Sequence, residues 1–233
     1  MKFLYSVFLL IGGYLTVVIQ YLVRLTSRPL FILFLRLEVR GTENIPKDGQ
    51  VIFATNHTSK FDPFLLQTSL PLFSRHIPLF FVTREKRFYT SGIIEKLLYG
   101  GWFFRLIGGY PAYEGKKDYA YSLREHIKIL ESGRSTCIFP EGGLAKNGHE
   151  GKYRGGVGYL SYAANTPVLP VYIKGIENIT FIKFLLRRRK VRIRIGEPLH
   201  FGYENNEEND QPGVFAFKDF ARKVVEGIYK EKI

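Results

Sequence analysis

The chain has 233 residues, 45% of them apolar and 24% charged, a balance that excludes a disordered polymer and suits one core, hardly two. Its formal net charge of +13 calls for an anionic partner: nucleic acid, an anionic membrane surface, or a phosphorylated or acidic substrate. The single cysteine, Cys137, excludes an internal disulfide framework and a Cys-based zinc site.

From the N-terminus, Phe3 to Val23 carries no charge and has the length needed to cross a bilayer, about 20 residues. The run exceeds the about 7–15 residues of a signal-peptide core, and no small-residue cleavage pattern follows it. Ser6, Gly12, Gly13, Thr16 and Gln20 interrupt its apolar character, which leaves a helix or helical hairpin lying in one leaflet as the alternative to a span. Pro29 to Leu35 extends the anchor. Arg24, Arg28, Arg36 and Arg40 all follow the first run, so the positive-inside rule places the rest of the chain on the cytoplasmic face. Residues 1–36 are therefore expected to anchor a domain of residues 37–233.

Leu37 to Asp48 reads as a short strand with a turn-rich continuation, and Gln50 to Thr55 as a buried strand. Asp62 is expected to cap a helix that starts at Pro63 and runs through FLLQTSL. Ile77 to Val82 predicts a second buried strand, and Thr83 to Tyr99 a mixed helical stretch. Tyr119 to Ser132 has the three- and four-residue steps of an amphipathic helix, ended by Gly133. Ser135 to Phe139 predicts a strand, Gly155 to Asn165 a helix, and Pro167 to Lys174 another strand. Val191 to Ile195 alternates apolar residues with Arg, as a half-exposed strand does. Tyr203 to Gly213 reads as a polar loop and Val214 to Lys230 as a closing amphipathic helix. Strands and helices alternate, which predicts an α/β domain with a largely parallel central sheet flanked by helices, preceded by a membrane-associated helix or hairpin. Ligands in such sheets sit beyond the carboxyl ends of the strands. NHTSKFD and PEGG follow strands directly and, with the segment after GGY, are expected to face one crevice.

NHTSKFD brings a His and an Asp together across a turn. A neutral imidazole takes a proton from an alcohol near neutral pH, and a carboxylate that fixes its tautomer improves it. The competing reading is a helix cap and a loop histidine. No G-x-S-x-G elbow and no phosphate loop of the G-x-x-x-x-G-K-[ST] type is present, and Cys137 lies inside a predicted buried strand.

With NHTSKFDPF, FPEGG, the aromatic and glycine block Trp102 to Tyr113, and VLPVYIKG in this order, the sequence resembles the glycerophospholipid acyltransferases. Within that family it is most like the 1-acylglycerol-3-phosphate acyltransferases. The resemblance implies that His57 deprotonates an acceptor hydroxyl, which attacks an acyl thioester of coenzyme A or acyl carrier protein, while Asp62 orients His57. It implies that Glu141 and Gly142 help bind the acceptor and that Pro170 shapes the acyl side. It implies no metal, and no cofactor beyond the acyl donor. Two blocks depart from the family pattern. Tyr113-Glu114-Gly115-Lys116-Lys117 and Glu141-Gly142-Gly143-Leu144-Ala145-Lys146 lack the Arg expected to hold an acceptor phosphate. Lys116, Lys117, Lys146 and Arg154 are the candidate replacements, although a Lys is a point charge and not a bidentate fork. The departures raise an alternative acceptor, such as a lyso-aminolipid or glycolipid. A non-enzymatic membrane-surface protein is the remaining class. The expected partners are membrane lipids and the acyl donor. Nucleic acid is not expected, because the aromatics lie in apolar runs and not between basic residues.

Overall fold

In the computed structural model, which describes residues 2–85, 102–113, 118–144, 153–187, 189–202 and 212–232, the apolar runs become seven short strands. These are β1 (Glu38–Arg40), β2 (Ile52–Thr55), β3 (Phe80–Thr83), β4 (Gly109–Pro111), β5 (Thr136–Ile138), β6 (Val168–Lys174) and β7 (Arg192–Ile195). They form one sheet in the order β1-β7-β6-β2-β5-β3-β4. Every pairing is parallel except β6 with β7. The α/β fold expected from alternation is therefore present, with β1 and β7 running against the other five strands.

Side chains alternate across a strand, so each strand feeds two cores. Phe53, Cys137, Leu169, Val171 and Ile173 point into one, together with Leu65 and Leu66 of α2 (Asp62–Ser69), Leu70 just after it, and Leu35 at the end of α1 (Lys2–Leu35). Ile52, Ala54, Ile138 and Tyr172 point into the other. That second core is closed by α5 (Arg124–Glu131), α6 (Gly156–Ala163) and α8 (Val214–Lys230). Gly158 lets α6 and α8 cross closely: a Cβ there would meet the Phe217 carbonyl oxygen at 2.5 Å.

Four features differ from the sequence expectations. Gly109–Pro111 forms an edge strand although Gly and Pro disfavour strands; it pairs with Phe81 to Thr83. The helix expected over Tyr119 to Ser132 is two, α4 (Tyr119–Ser122) and α5, broken at Leu123. Two further short helices are present, α3 (Trp102–Leu106) and α7 (Phe181–Leu185). Most of the stretch Thr83 to Tyr99 and of the loop Tyr203 to Gly213 lies outside the described residues.

Helix α1 is one helix that runs through Pro29, not a hairpin. From Tyr14 to Leu35 it has the length and apolar character to cross a membrane. Three of its polar residues nevertheless face the protein. Thr16, Gln20 and Arg24, spaced four apart, are buried on one face. Gln20 Nε2 donates to the Leu79 and Ile107 carbonyls, and its Oε1 accepts from the Leu79 N–H. The Arg24 guanidinium donates to the carbonyls of Leu70, Pro71 and Leu72, and Arg28 adds a bond to Leu70. These are the carbonyls just past the C-terminus of α2, where a cation is favoured. Tyr14, Leu15, Val18, Leu22, Leu25, Leu30, Ile32 and Leu33 face outward instead. Arg24, read from sequence as a charge flanking the apolar run, is thus an internal clamp.

His126 on α5 is fully buried, and neither ring nitrogen has a well-formed hydrogen bond. Burial, partly offset by the Phe81 backbone, pushes its pKa down from 6.5 to about 4. Between those values the unfolded chain binds a proton that the folded chain does not, so stability falls as pH drops from 6.5 toward 4. The full loss is about 3 kcal/mol. His126→Phe is expected to abolish this part of the acid sensitivity, read from denaturant midpoints at pH 7.5 and pH 4.5. An unchanged pH slope in the variant would contradict the assignment.

Candidate active site

The sheet order brings the two motif loops together. β2 and β5 are parallel neighbours with Ala54 opposite Ile138, so the chain leaves both at the same end. His57 therefore emerges beside Phe139, and their rings stack with centroids 4.0 Å apart. β2 also adjoins β6, and the buried Asn56 fixes the exit of its chain. Asn56 Nδ2 donates to the Ile173 carbonyl, and its Oδ1 accepts from the Ile173 N–H. The amide thus continues the β2–β6 ladder as a strand residue would. Asn56→Leu would leave both Ile173 backbone groups buried and unpaired. The expected cost is about 2–4 kcal/mol, measured by chemical unfolding.

Asp62 is fully buried at the first position of α2. It does not cap the helix. Its Oδ2 turns back to accept from the N–H groups of Thr58 and Ser59, at 2.7 and 2.8 Å, and from His57 Nδ1 at 3.0 Å. Three donors converge on one carboxylate oxygen, and Oδ1 has no partner among the described residues. With both backbone bonds fixing Asp62 as acceptor, His57 carries its proton on Nδ1. That leaves Nε2 with a free lone pair. The His57 side chain is partly exposed and lines a cavity of about 970 Å3. The helix-cap reading of NHTSKFD gives way to a carboxylate that turns back onto the imidazole and the turn amides.

The cavity wall is mostly apolar, with Phe64, Phe81, Phe104, Ile107, Leu123 and Ile138 among its residues. Ala112 and Tyr113 after GGY, and Pro140, Gly142 and Gly143 of FPEGG, also line it, so the three segments singled out in the sequence share one crevice. Cations lie on the same wall: Lys60, Arg84, Arg154 and Lys218. Arg84 donates to the Gly142 carbonyl at 3.0 Å. Gly142 has φ +72°, and a Cβ there would collide with the Arg154 side chain. A Cβ on Gly143 would reach the Arg84 guanidinium at 3.0 Å. The paired glycines thus let two arginines approach one turn. Sequence reasoning had proposed Arg154 and missed Arg84; the available signal was its place directly after β3, at the ligand-binding end of the sheet.

Other sequence candidates fall elsewhere. Lys116, Lys117 and Lys146 lie outside the described residues. Glu141 is not part of the cavity wall: its Oε1 accepts from the Tyr229 hydroxyl of α8 at 2.7 Å, and burial raises its carboxyl pKa. It ties the FPEGG turn to the C-terminal helix. Pro170 is buried on β6 with Gly196 and Gly227 close to its ring, and it does not line the cavity. Cys137 is fully buried, and burial pushes its thiol well above the ordinary range. No cluster of His, Cys, Asp and Glu able to hold a metal occurs among the described residues.

Comparison with known proteins identifies the family. The family model named Acyltransferase matches residues 36–174. A probable 1-acyl-sn-glycerol-3-phosphate acyltransferase of Mycoplasma pneumoniae is 27% identical over 65% of this chain and 54% of its own length. A chloroplastic 1-acyl-sn-glycerol-3-phosphate acyltransferase of Arabidopsis thaliana is 25% identical over 72% of this chain and 44% of its own. The chain thus spans about half the length of these two relatives. The 1-acyl-sn-glycerol-3-phosphate acyltransferase of Bacillus subtilis is 25% identical over 70% of this chain and 74% of its own. The crystal structure of the Thermotoga maritima 1-acyl-sn-glycerophosphate acyltransferase PlsC shares the fold, with a TM-score of 0.60 and 22% identity. That match covers 98% of this chain and 90% of the other.

Proposed function

Because the chain belongs to the Acyltransferase family, we propose that it transfers an acyl group from a thioester to the free hydroxyl of a lysophospholipid, most simply 1-acylglycerol-3-phosphate. The observation that carries this reading is the His57–Asp62 pair at the rim of an apolar cavity with arginines on its wall. His57 Nε2 takes the acceptor hydroxyl proton as the oxygen attacks the thioester carbonyl. The tetrahedral intermediate collapses with loss of the thiolate, which receives that proton from His57. Asp62 stabilises the imidazolium formed in between. The donor is acyl-CoA or an acyl carrier protein thioester. The apolar wall suits an acyl chain. Arg84 and Arg154 supply the phosphate-binding charge that the second and third motif blocks lack, and Arg does so bidentately.

Helix α1 supports a membrane setting. Its polar face is spent on the domain and its apolar face points outward, the arrangement of a helix half-sunk in one leaflet. The domain would then sit on the cytoplasmic face.

The decisive assay supplies lysophosphatidic acid, lysophosphatidylcholine and a lyso-aminolipid, each with acyl-CoA and with acyl carrier protein thioesters, and follows thiol release and product mass. Phosphatidic acid as the main product is the expected result. Turnover of only the lyso-aminolipid would establish the alternative acceptor, and no turnover with any pair would overturn the reading.

A further inference from the structure

Helix α7 joins β6 to β7 and has no counterpart among the motifs. Its inner side is occupied: Phe184 packs on Phe34 of α1, with ring centroids 5.1 Å apart, and against the first core. Its outer side is bare. Ile182, Leu185 and Leu186 are 68%, 47% and 54% exposed. Three large aliphatic residues at that exposure leave about half or more of their surface uncovered by the protein. The contact with Phe34 brings α7 to the end of α1 that carries the exposed Leu30 and Leu33. Cations border the patch: Lys183 on α7, then Arg187, Arg189 and Lys190. Glu38 is shared by Lys190, Arg40 and Arg192, so Arg187 and Arg189 are not the bases it neutralises.

We propose that α7 and the basic segment after it form a second membrane contact, which inserts Ile182, Leu185 and Leu186 and reads anionic phospholipid headgroups through Arg187 and Arg189. Apolar residues bordered by cations fit the boundary between acyl chains and an anionic headgroup layer. The contact also fixes the rotation of the domain, because α1 alone leaves the protein free to roll about one axis. The inference rests on the membrane placement proposed for α1.

The test places an environment-sensitive dye on Leu186→Cys in the full chain; Cys137 is fully buried and does not compete for label. A blue shift is expected with vesicles containing phosphatidylglycerol, and a smaller one with pure phosphatidylcholine. Val18→Cys on α1 reports the placement itself, and Lys128→Cys, on the opposite face of the sheet, should not shift. A shift at Val18 without one at Leu186 overturns the inference while the α1 placement stands; no shift at either overturns both. An equal shift at Lys128 means non-specific adhesion and also overturns it. Combined Arg187→Gln and Arg189→Gln substitution should weaken binding to the anionic vesicles about 25-fold at low salt, about fivefold for each charge, with binding to neutral vesicles unchanged. Equal losses on both vesicle types would overturn the headgroup assignment. Thiol release, measured in parallel with detergent-dispersed lysolipid, keeps this result separate from the acyl-transfer reading.

Discussion

His57→Ala is expected to lower the rate of thiol release by about a thousandfold or more, within the range set by removal of a general base. The side chain is partly exposed and joins no core cluster, so the unfolding midpoint should move little. Asp62→Asn should cost as much for a different reason. The carboxylate oxygen that holds His57 Nδ1 also accepts two backbone N–H bonds. An asparagine can keep its carbonyl oxygen on those two amides, or turn its NH2 toward them and lose both. In neither arrangement does it carry the charge that stabilises an imidazolium. Wild-type thiol release in His57→Ala would remove the proposed base from the mechanism. Near-normal release in Asp62→Asn would reduce Asp62 to a scaffold for the turn.

The second large effect is on stability. Arg24→Met removes the donor to three carbonyls beyond the end of α2, in a place where the guanidinium is fully buried. The methionine fills much of the space and satisfies none of the acceptors. A loss of about 3–5 kcal/mol is expected, measured by chemical unfolding in detergent. Arg24→Lys should recover only part of it, because an ammonium cannot fan out to three carbonyls as the planar guanidinium does. A loss below about 1 kcal/mol in Arg24→Met would mean that water or a neighbouring donor replaces the clamp.

Much of the fold was legible because the pattern and the chemistry agree. QVIFAT, STCIF and VLPVYIK are apolar, β-branched runs, and each contains a central strand. The closing helix has the bounds its periodicity predicts, Val214–Lys230. Strand β4 was not legible, because GYP has little strand propensity and pairs only by being laid against β3. The sequence leaves Asp62 both as a helix cap and as the partner of His57, because a cap and a carboxylate turned toward a preceding loop share one sequence signature. Which way the side chain faces is decided by the Thr58 and Ser59 amides, and no spacing rule carries that. Arg84 was missed for a similar reason. It belongs to no motif, and reaches the Gly142 turn only through the β3–β5 pairing.

Helix α1 also bears on how the protein could be made tractable. A membrane helix is commonly regarded as a removable leash, trimmed to give a water-soluble catalytic fragment. Trimming here would strip the Leu70, Pro71 and Leu72 carbonyls of their donor, leave Leu79 without the Gln20 amide, and take Leu35 out of the first core. The shortened chain would gain solubility at its surface and lose it through a damaged interior. Replacing the outward leucines and Val18 while keeping Gln20, Arg24 and Leu35 is the route to a water-soluble form with its interior intact.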